Sequence, residues 1–179
     1  MISSEHLLLR NFDVDDWRGV HEWCSDPEVM RYMLAGDPWT EEQSRAYVDH
    51  AMTAAEADPR TEYSLAIALR STGEVIGGCR LSLGPFGPQE AGIGFGLTRR
   101  RWGQGLGTEA VQLLLEFGFG ELRLHRIHAD TLAVNEAAIR VLEKSGMRQE
   151  GCFRQRLQVE GEWLDTLAFA ILKREWEQN

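Results

Sequence analysis

Apolar residues along the chain fall into two repeating patterns, and their alternation sets out the expected elements. Leu7, Leu8 and Leu9 ahead of Arg10 read as a first strand. Asp13 or Asp15 then caps a helix through Trp17, Val20, His21 and Trp23, and Asp26-Pro27 opens a second, shorter helix with Val29, Met30 and Met33 inward. Gly36-Asp37-Pro38 breaks that helix. Thr40 and Gln43 have the spacing of a capping box, which predicts a helix to about Ala57, ended by Asp58-Pro59. Period-two stretches follow at Tyr63 to Arg70 and Val75 to Leu83, joined by a turn at Ser71-Thr72-Gly73-Glu74. After a loop from Gly84 to Pro88 comes a further strand, Ala91 to Leu97. Beyond a run of glycines, Ala110, Val111, Leu114, Leu115 and Leu122 recur at helical spacing. Arg126 to Thr131 predicts a strand, and Ala138, Ile139, Val141 and Leu142 a helix that stops at Ser145-Gly146, where glycine suits a left-handed cap. Arg148 to Glu160 and Trp163 to Leu172 predict a closing hairpin around Gly161. A strand, helices, three antiparallel strands, a helix, a strand, a helix and two strands predict a mixed α/β fold with a central sheet.

A chain of 179 residues, 43% hydrophobic and 26% charged, is expected to form one domain over residues 1–179 with a substantial core. The net charge of −9 argues against a direct nucleic-acid partner, and suits a small anionic cofactor with an amine-bearing acceptor. Cys24, Cys79 and Cys152 are widely spaced and show no zinc-ligand pattern, so no metal is expected and three reduced thiols fit a cytoplasmic protein. The first residues lack the basic and then apolar regions of a signal peptide, and no apolar run approaches the roughly 20 residues that span a bilayer. No membrane partner is expected.

The candidate chemistry centres on Trp102-Gly103-Gln104-Gly105-Leu106-Gly107-Thr108-Glu109-Ala110, a glycine loop running from a strand into a helix. Glycines allow a tight turn and close approach of a ligand, and the first N–H groups of the helix offer an anion site. An ordinary turn fits the same residues. Arg99, Arg100 and Arg101 beside it are either cations for an anion or a solvated charge run. Gly105, Gly107 and Ala110 also match a dinucleotide fingerprint, with Asp130 near the expected offset. The loop, however, follows an antiparallel hairpin, and too few βα units remain to build a doubly wound sheet. An NAD oxidoreductase therefore ranks well below other readings.

With these residues in order, the chain resembles the GNAT acetyltransferases, and most closely the branch that includes the ribosomal-protein N-terminal acetyltransferases. The likeness runs through LLLRNFDVDDWRGVHEWCSDPEVMRYM, YSLAIALRSTGEVIGGCRL, GIGFGLTRRRWGQGLGTEA, VNEAAIRVLEKSGM and EGCFRQRLQVEGEWLDTLAFAILKREW. It implies a mostly antiparallel twisted sheet with helices on both faces and a splayed strand pair. It also implies acetyl-CoA as acyl donor. The backbone N–H groups of Trp102, Gly103, Gln104, Gly105, Leu106, Gly107 and Thr108 would hold the pyrophosphate. The strand ending at Leu97 would diverge from Arg126 to Thr131 and pair with the pantetheine arm, which Asn135 would also bind. Asn135 is equally a helix N-cap.

Two positions depart from the family pattern. A glutamate of the strand before the loop is here Gly92, and a serine three residues after the asparagine is here Ala138. Glu90, His128 and Asp165 are the remaining candidates for a catalytic base, with Asp165 alternatively pairing with Arg154 or Arg156. Because Gly92 and Ala138 carry no acid or base, positioning and deprotonation of the amine through water are expected to supply most of the rate. The implied reaction is direct transfer of acetyl to a primary amine, on a protein N-terminus or a small molecule; an acyl-CoA-binding module without catalysis is the alternative. Trp23, Trp39, Phe86 and Trp163 would line the acceptor cleft or serve packing. The protein is expected to be a monomer or a homodimer, with the closing strand Trp163 to Leu172 near a sheet margin.

Overall fold

The computed structural model describes residues 1–33, 37–84, 87, 89–159 and 161–178. Gly36 of the expected helix break, Pro85, Phe86 and Pro88 of the expected loop, and Glu160 at the end of the expected strand lie outside the described residues. The strands are β1 (Ile2–Ser3), β2 (Leu7–Asn11), β3 (Glu62–Leu69), β4 (Val75–Leu83), β5 (Glu90–Leu97), β6 (Arg126–Leu132), β7 (Arg148–Val159) and β8 (Glu162–Leu172). They form an eight-stranded sheet in the order β1-β2-β3-β4-β5-β6-β8-β7. Neighbours are antiparallel except β5 and β6, which run parallel. The helices are α1 (Trp17–Cys24), α2 (Pro27–Met30), α3 (Glu41–Ala55), α4 (Leu106–Glu116), α5 (Glu136–Lys144) and α6 (Lys173–Trp176).

Alternation along the strands sends apolar side chains to both faces, and helices cover each. On one face Phe12, Val20, Trp23, Met30 and Val48 from the α1–α3 side bury Ala66, Ala68 and Val75. On the other, Leu106, Val111, Leu114 and Leu142 of α4 and α5 pack on Leu65, Ile67, Ile93 and Ile127. Asp13 is the residue that caps the turn before α1, and Asp16 returns the bond. The Thr40–Gln43 capping box forms, starting α3 at Glu41.

Several expected boundaries move. α4 ends at Glu116 and gives way to a widened π-helical turn, Phe117–Glu121, so Leu122 lies beyond the helix. The cause is Gly118, where a Cβ would stand 2.6 Å from Ile127 Cδ1; the chain there presses directly on β6. β8 is flanked on one side by β6 and on the other by β7, so the closing strand has no free edge and the sheet margin is β7. β7 is also interrupted: Phe153 pairs with Thr166 and Leu157 with Leu164, leaving residues 154–156 opposite Asp165 alone. Gln155 adopts a left-handed conformation there, with φ 50°. No helix among the described residues is long and apolar enough to cross a membrane.

The amino-terminal segment is tied to α4 through Glu109, which accepts from the Ser4 hydroxyl (2.5 Å) and the His6 backbone N–H (2.9 Å) and lies 3.1 Å from His6 Nδ1. Burial pushes the Glu109 carboxyl up, but these hydrogen bonds outweigh it and hold the group below the usual glutamate range. A carboxylate whose folded pKa lies below its unfolded value stabilises the fold fully above the unfolded value, about 4.3, and ceases to do so as pH falls through the folded value. Glu109→Ala is therefore expected to lower the urea midpoint at pH 7, and the gap from wild type to shrink progressively below about pH 4. A gap that stays constant on acidification would refute the ionised tie.

Candidate active site

β5 and β6 pair over only Glu90↔Arg126, Ala91↔Ile127 and Gly92↔His128. Beyond that rung β5 remains bonded to β4 as far as Leu97, and β6 to β8 as far as Leu132. The two strands diverge as a V whose facing backbone edges, from Ile93 and from Ala129 onward, have no strand partner. At the open end of β5 the Trp102 Nε1 donates to the Leu97 carbonyl at 2.9 Å. That bond draws the strand end toward the loop and away from β6.

The glycine loop closes the mouth of the V. Gly103 and Gly105 have φ of 72° and 82°, and a Cβ on either would meet nothing within 4 Å, so the loop borders open space. Gly105 is the N-cap of α4 and supplies no capping side chain. The first-turn N–H groups are thus left for an anion. Beside them Arg101 donates to Glu74 at 3.0 Å, while its Nε is buried with no partner. An orphaned guanidinium nitrogen next to uncapped N–H groups suits a bound phosphate.

The loop, the open end of β5 (Phe95 to Leu97) and the start of α5 border one cleft of about 640 Å³. Leu97, Trp102, Gly103, Gly105, Leu106, Gly107, Thr108 and Asn135 all border it. Gln104 does not; its amide donates to the Arg100 carbonyl at 2.9 Å. Asn135 caps α5, its Oδ1 accepting from Ala138 N–H at 3.0 Å. Arg99 and Arg100 are committed to ion pairs with Asp26, Glu22 and Glu74, so of the three arginines only Arg101 reaches the cleft. Arg140 and Lys144, one helical turn apart on α5, border the cleft as well. Their spacing five and nine residues after Asn135 is visible in the sequence.

The catalytic candidates separate into two places. Glu90 and His128 come together, with Nε2 of His128 3.9 Å from the Glu90 carboxylate. Arg126 joins them: its Nε donates to Glu90 at 3.2 Å and its terminal nitrogens to Glu150 at 2.9 and 2.5 Å. This pairing holds the Glu150 carboxyl below its usual range. Asp165 stands apart, five residues along β8 from the partner of His128, or about 16 Å at strand rise. Its carboxylate pairs with neither Arg154 nor Arg156. It accepts from the Gln155 N–H at 2.8 Å, and Arg156 binds Asp130 instead at 2.9 Å. The bulge in β7 causes this by folding the Gln155 backbone over Asp165. Trp23 and Trp39 serve packing around α1–α3, whereas Trp163 is 57% exposed on the closing hairpin. Phe86 lies outside the described residues.

The model of the acetyltransferase (GNAT) domain family matches residues 6–148. The chain belongs to the GNAT acetyltransferase family. It is 36% identical to the uncharacterized N-acetyltransferase YnaD of Bacillus subtilis (strain 168), over 98% of each chain. The GNAT-family acetyltransferase structure from Bacillus anthracis is 34% identical and superimposes with a TM-score of 0.85, covering 97% of this chain and 98% of that one. A spermidine N-acetyltransferase from Vibrio cholerae, solved with CoA and spermine, shares the fold at 18% identity and a TM-score of 0.84, over 97% and 99% of the chains. This GNAT protein is accordingly an N-acetyltransferase.

Proposed function

We propose that this GNAT protein moves acetyl from acetyl-CoA directly to a primary amine, carried by a small molecule or a protein N-terminus. The observation that carries the reading is one cleft that joins an uncapped glycine loop to the open end of β5, the strand that diverges from β6. The loop N–H groups and Arg101 suit a pyrophosphate. The edges of β5 and β6 and the Asn135 amide suit the amides of a pantetheine arm, and Arg140 and Lys144 a further phosphate. When bound, acetyl-CoA supplies the activated thioester. The chain supplies orientation, which alone removes a large part of the barrier to a two-molecule reaction.

The acceptor has a matching approach. Gly92, Gly94 and Gly96 lie on the face of β5 that carries α1–α3, and they leave a trough along the strand. Trp23 and Met33 bound it at Gly96, and a Cβ on Gly94 would meet nothing within 4 Å. An amine entering this trough reaches the diverging strands beside the vertex of the V. The test is release of free thiol from acetyl-CoA across a panel of polyamines, other small amines and N-terminal peptides. Calorimetry with CoA and with NADH accompanies it. Thiol release with at least one amine, and CoA binding without NADH binding, are expected. CoA binding with no turnover on any amine would reduce the protein to a binding module, and NADH binding in place of CoA would overturn the site.

A further inference from the structure

We propose that His128 is the base that takes the proton from the acceptor amine, and that Glu90 positions it; the proposal rests on the acetyl-transfer reading above. Three observations converge on the imidazole. First, Gly92↔His128 is the last rung before β5 and β6 separate, so the ring stands at the vertex of the V. A thioester arm lying between the two free edges ends there. Second, the ring occupies a hollow that only glycine leaves. A Cβ on Gly92 would lie 3.1 Å from Cε1 and 3.4 Å from Nε2 of His128. The next residue on that face, Gly94, has open space above it, so one edge of the ring borders the acceptor trough. The side chain is 38% exposed, enough for a substrate to reach it.

Third, charged groups surround the ring. Facing it are Glu90 from β5, Arg126 from its own strand and Glu150 from β7, while β8 presents Ala170. Two carboxylates against one guanidinium leave a net negative surrounding. Arg126 also fixes Glu90, so the carboxylate 3.9 Å from Nε2 is held in place. In place of water-relayed deprotonation, expected from Gly92 and Ala138 alone, a side chain from the neighbouring strand fills the site of the missing one.

The step balances without any further reactant. The acceptor nitrogen donates its lone pair to the thioester carbonyl carbon, and the C–S bond breaks with its electrons on sulfur. His128 takes the proton that nitrogen sheds, and the thiolate takes one from water. His128 then returns its proton to solvent, so amine and thioester become amide and thiol.

The test uses the full chain, acetyl-CoA and the amine that releases thiol fastest in the panel above. His128→Ala is expected to cut kcat by about 10²–10⁴-fold, to leave the KM for acetyl-CoA and the urea midpoint within about twofold and a few per cent of wild type, and to remove the enzyme-set break from the kcat/KM–pH profile. Only the limb set by the amine then remains. Gly92→Ala, which displaces the ring, should lower kcat in the same direction. Glu90→Gln should move the break, and Glu90→Asp restore part of it, which a purely structural role would not do. Turnover in His128→Ala within about threefold of wild type, with the break intact, overturns the proposal while acetyl transfer stands. A wild-type protein that acetylates no amine overturns both.

Discussion

Gly105→Val is expected to raise the KM for acetyl-CoA between about 5- and 150-fold, while the protein stays folded. The residue caps α4 with φ 82°, a conformation that a β-branched side chain holds only at a cost of about 1–3 kcal/mol. The φ 82° form is the one that leaves the first-turn N–H groups open to a phosphate, so a variant that relaxes out of it loses that cost from its affinity. Conversion of that cost to an affinity ratio gives the range stated. A Cβ here points into the open space beside the loop, so steric loss at the phosphates adds to the strain. The core under α4 is built from Leu106, Ala110, Val111 and Leu114, none of which is disturbed. Calorimetry with acetyl-CoA and a thermal melt on the same sample separate the two effects. An unchanged KM in a folded variant would refute the placement of the phosphates.

Gly77→Ala is expected to destabilise the fold by about 3 kcal/mol, at the upper end of the usual range for overpacking. An added Cβ would sit 2.2 Å from the Gly96 carbonyl oxygen, 2.7 Å from Leu97 Cδ2 and 3.0 Å from Leu97 Cα. Two of these three atoms are backbone, so no rotamer change relieves the contact and β5 must move away from β4. Because β5 is one arm of the V, the KM for acetyl-CoA should rise together with the fall in the urea midpoint. Gly94→Ala, on the neighbouring strand β5 and facing open space, is the control and should leave the midpoint within about 0.5 kcal/mol. Equal midpoints for the two variants would mean that β4 and β5 are less closely packed than described.

The helices and long strands were legible because their apolar spacing extends over enough residues to define a period. The two residues of β1 and the four of α6 are too few for one, and both form through tertiary contact: β1 on β2, and Trp176 on Phe119. Leu122 was misassigned because its spacing continued the α4 stripe, while Gly118 between was answering to β6. The glycine loop was legible for a local reason, since alternating glycines before a helix report left-handed turns. Gly92 was not. Read alone it is a missing carboxylate; only the parallel register of β5 and β6 shows that His128, far along the chain, fills the vacated volume. Strand register between distant segments leaves no local signature. The pairing expected of Asp165 with Arg154 or Arg156 was missed for a related reason: the bulge in β7 supplied a backbone donor in place of the arginines.

That bulge also bears on how the protein behaves in concentrated solution. A long, flat outermost strand offers its unused amides and carbonyls to any passing extended segment and can seed polymerisation. β7 presents such a ladder only in pieces. Residues 154–156 leave the strand line at mid-length, Gln155 reverses the local backbone hand, and its N–H is already given to Asp165. An incoming strand therefore finds no continuous template on this flank, and the kink increases the local twist that opposes stacking. Strand addition at this margin is thus confined to short, broken stretches on either side of residues 154–156.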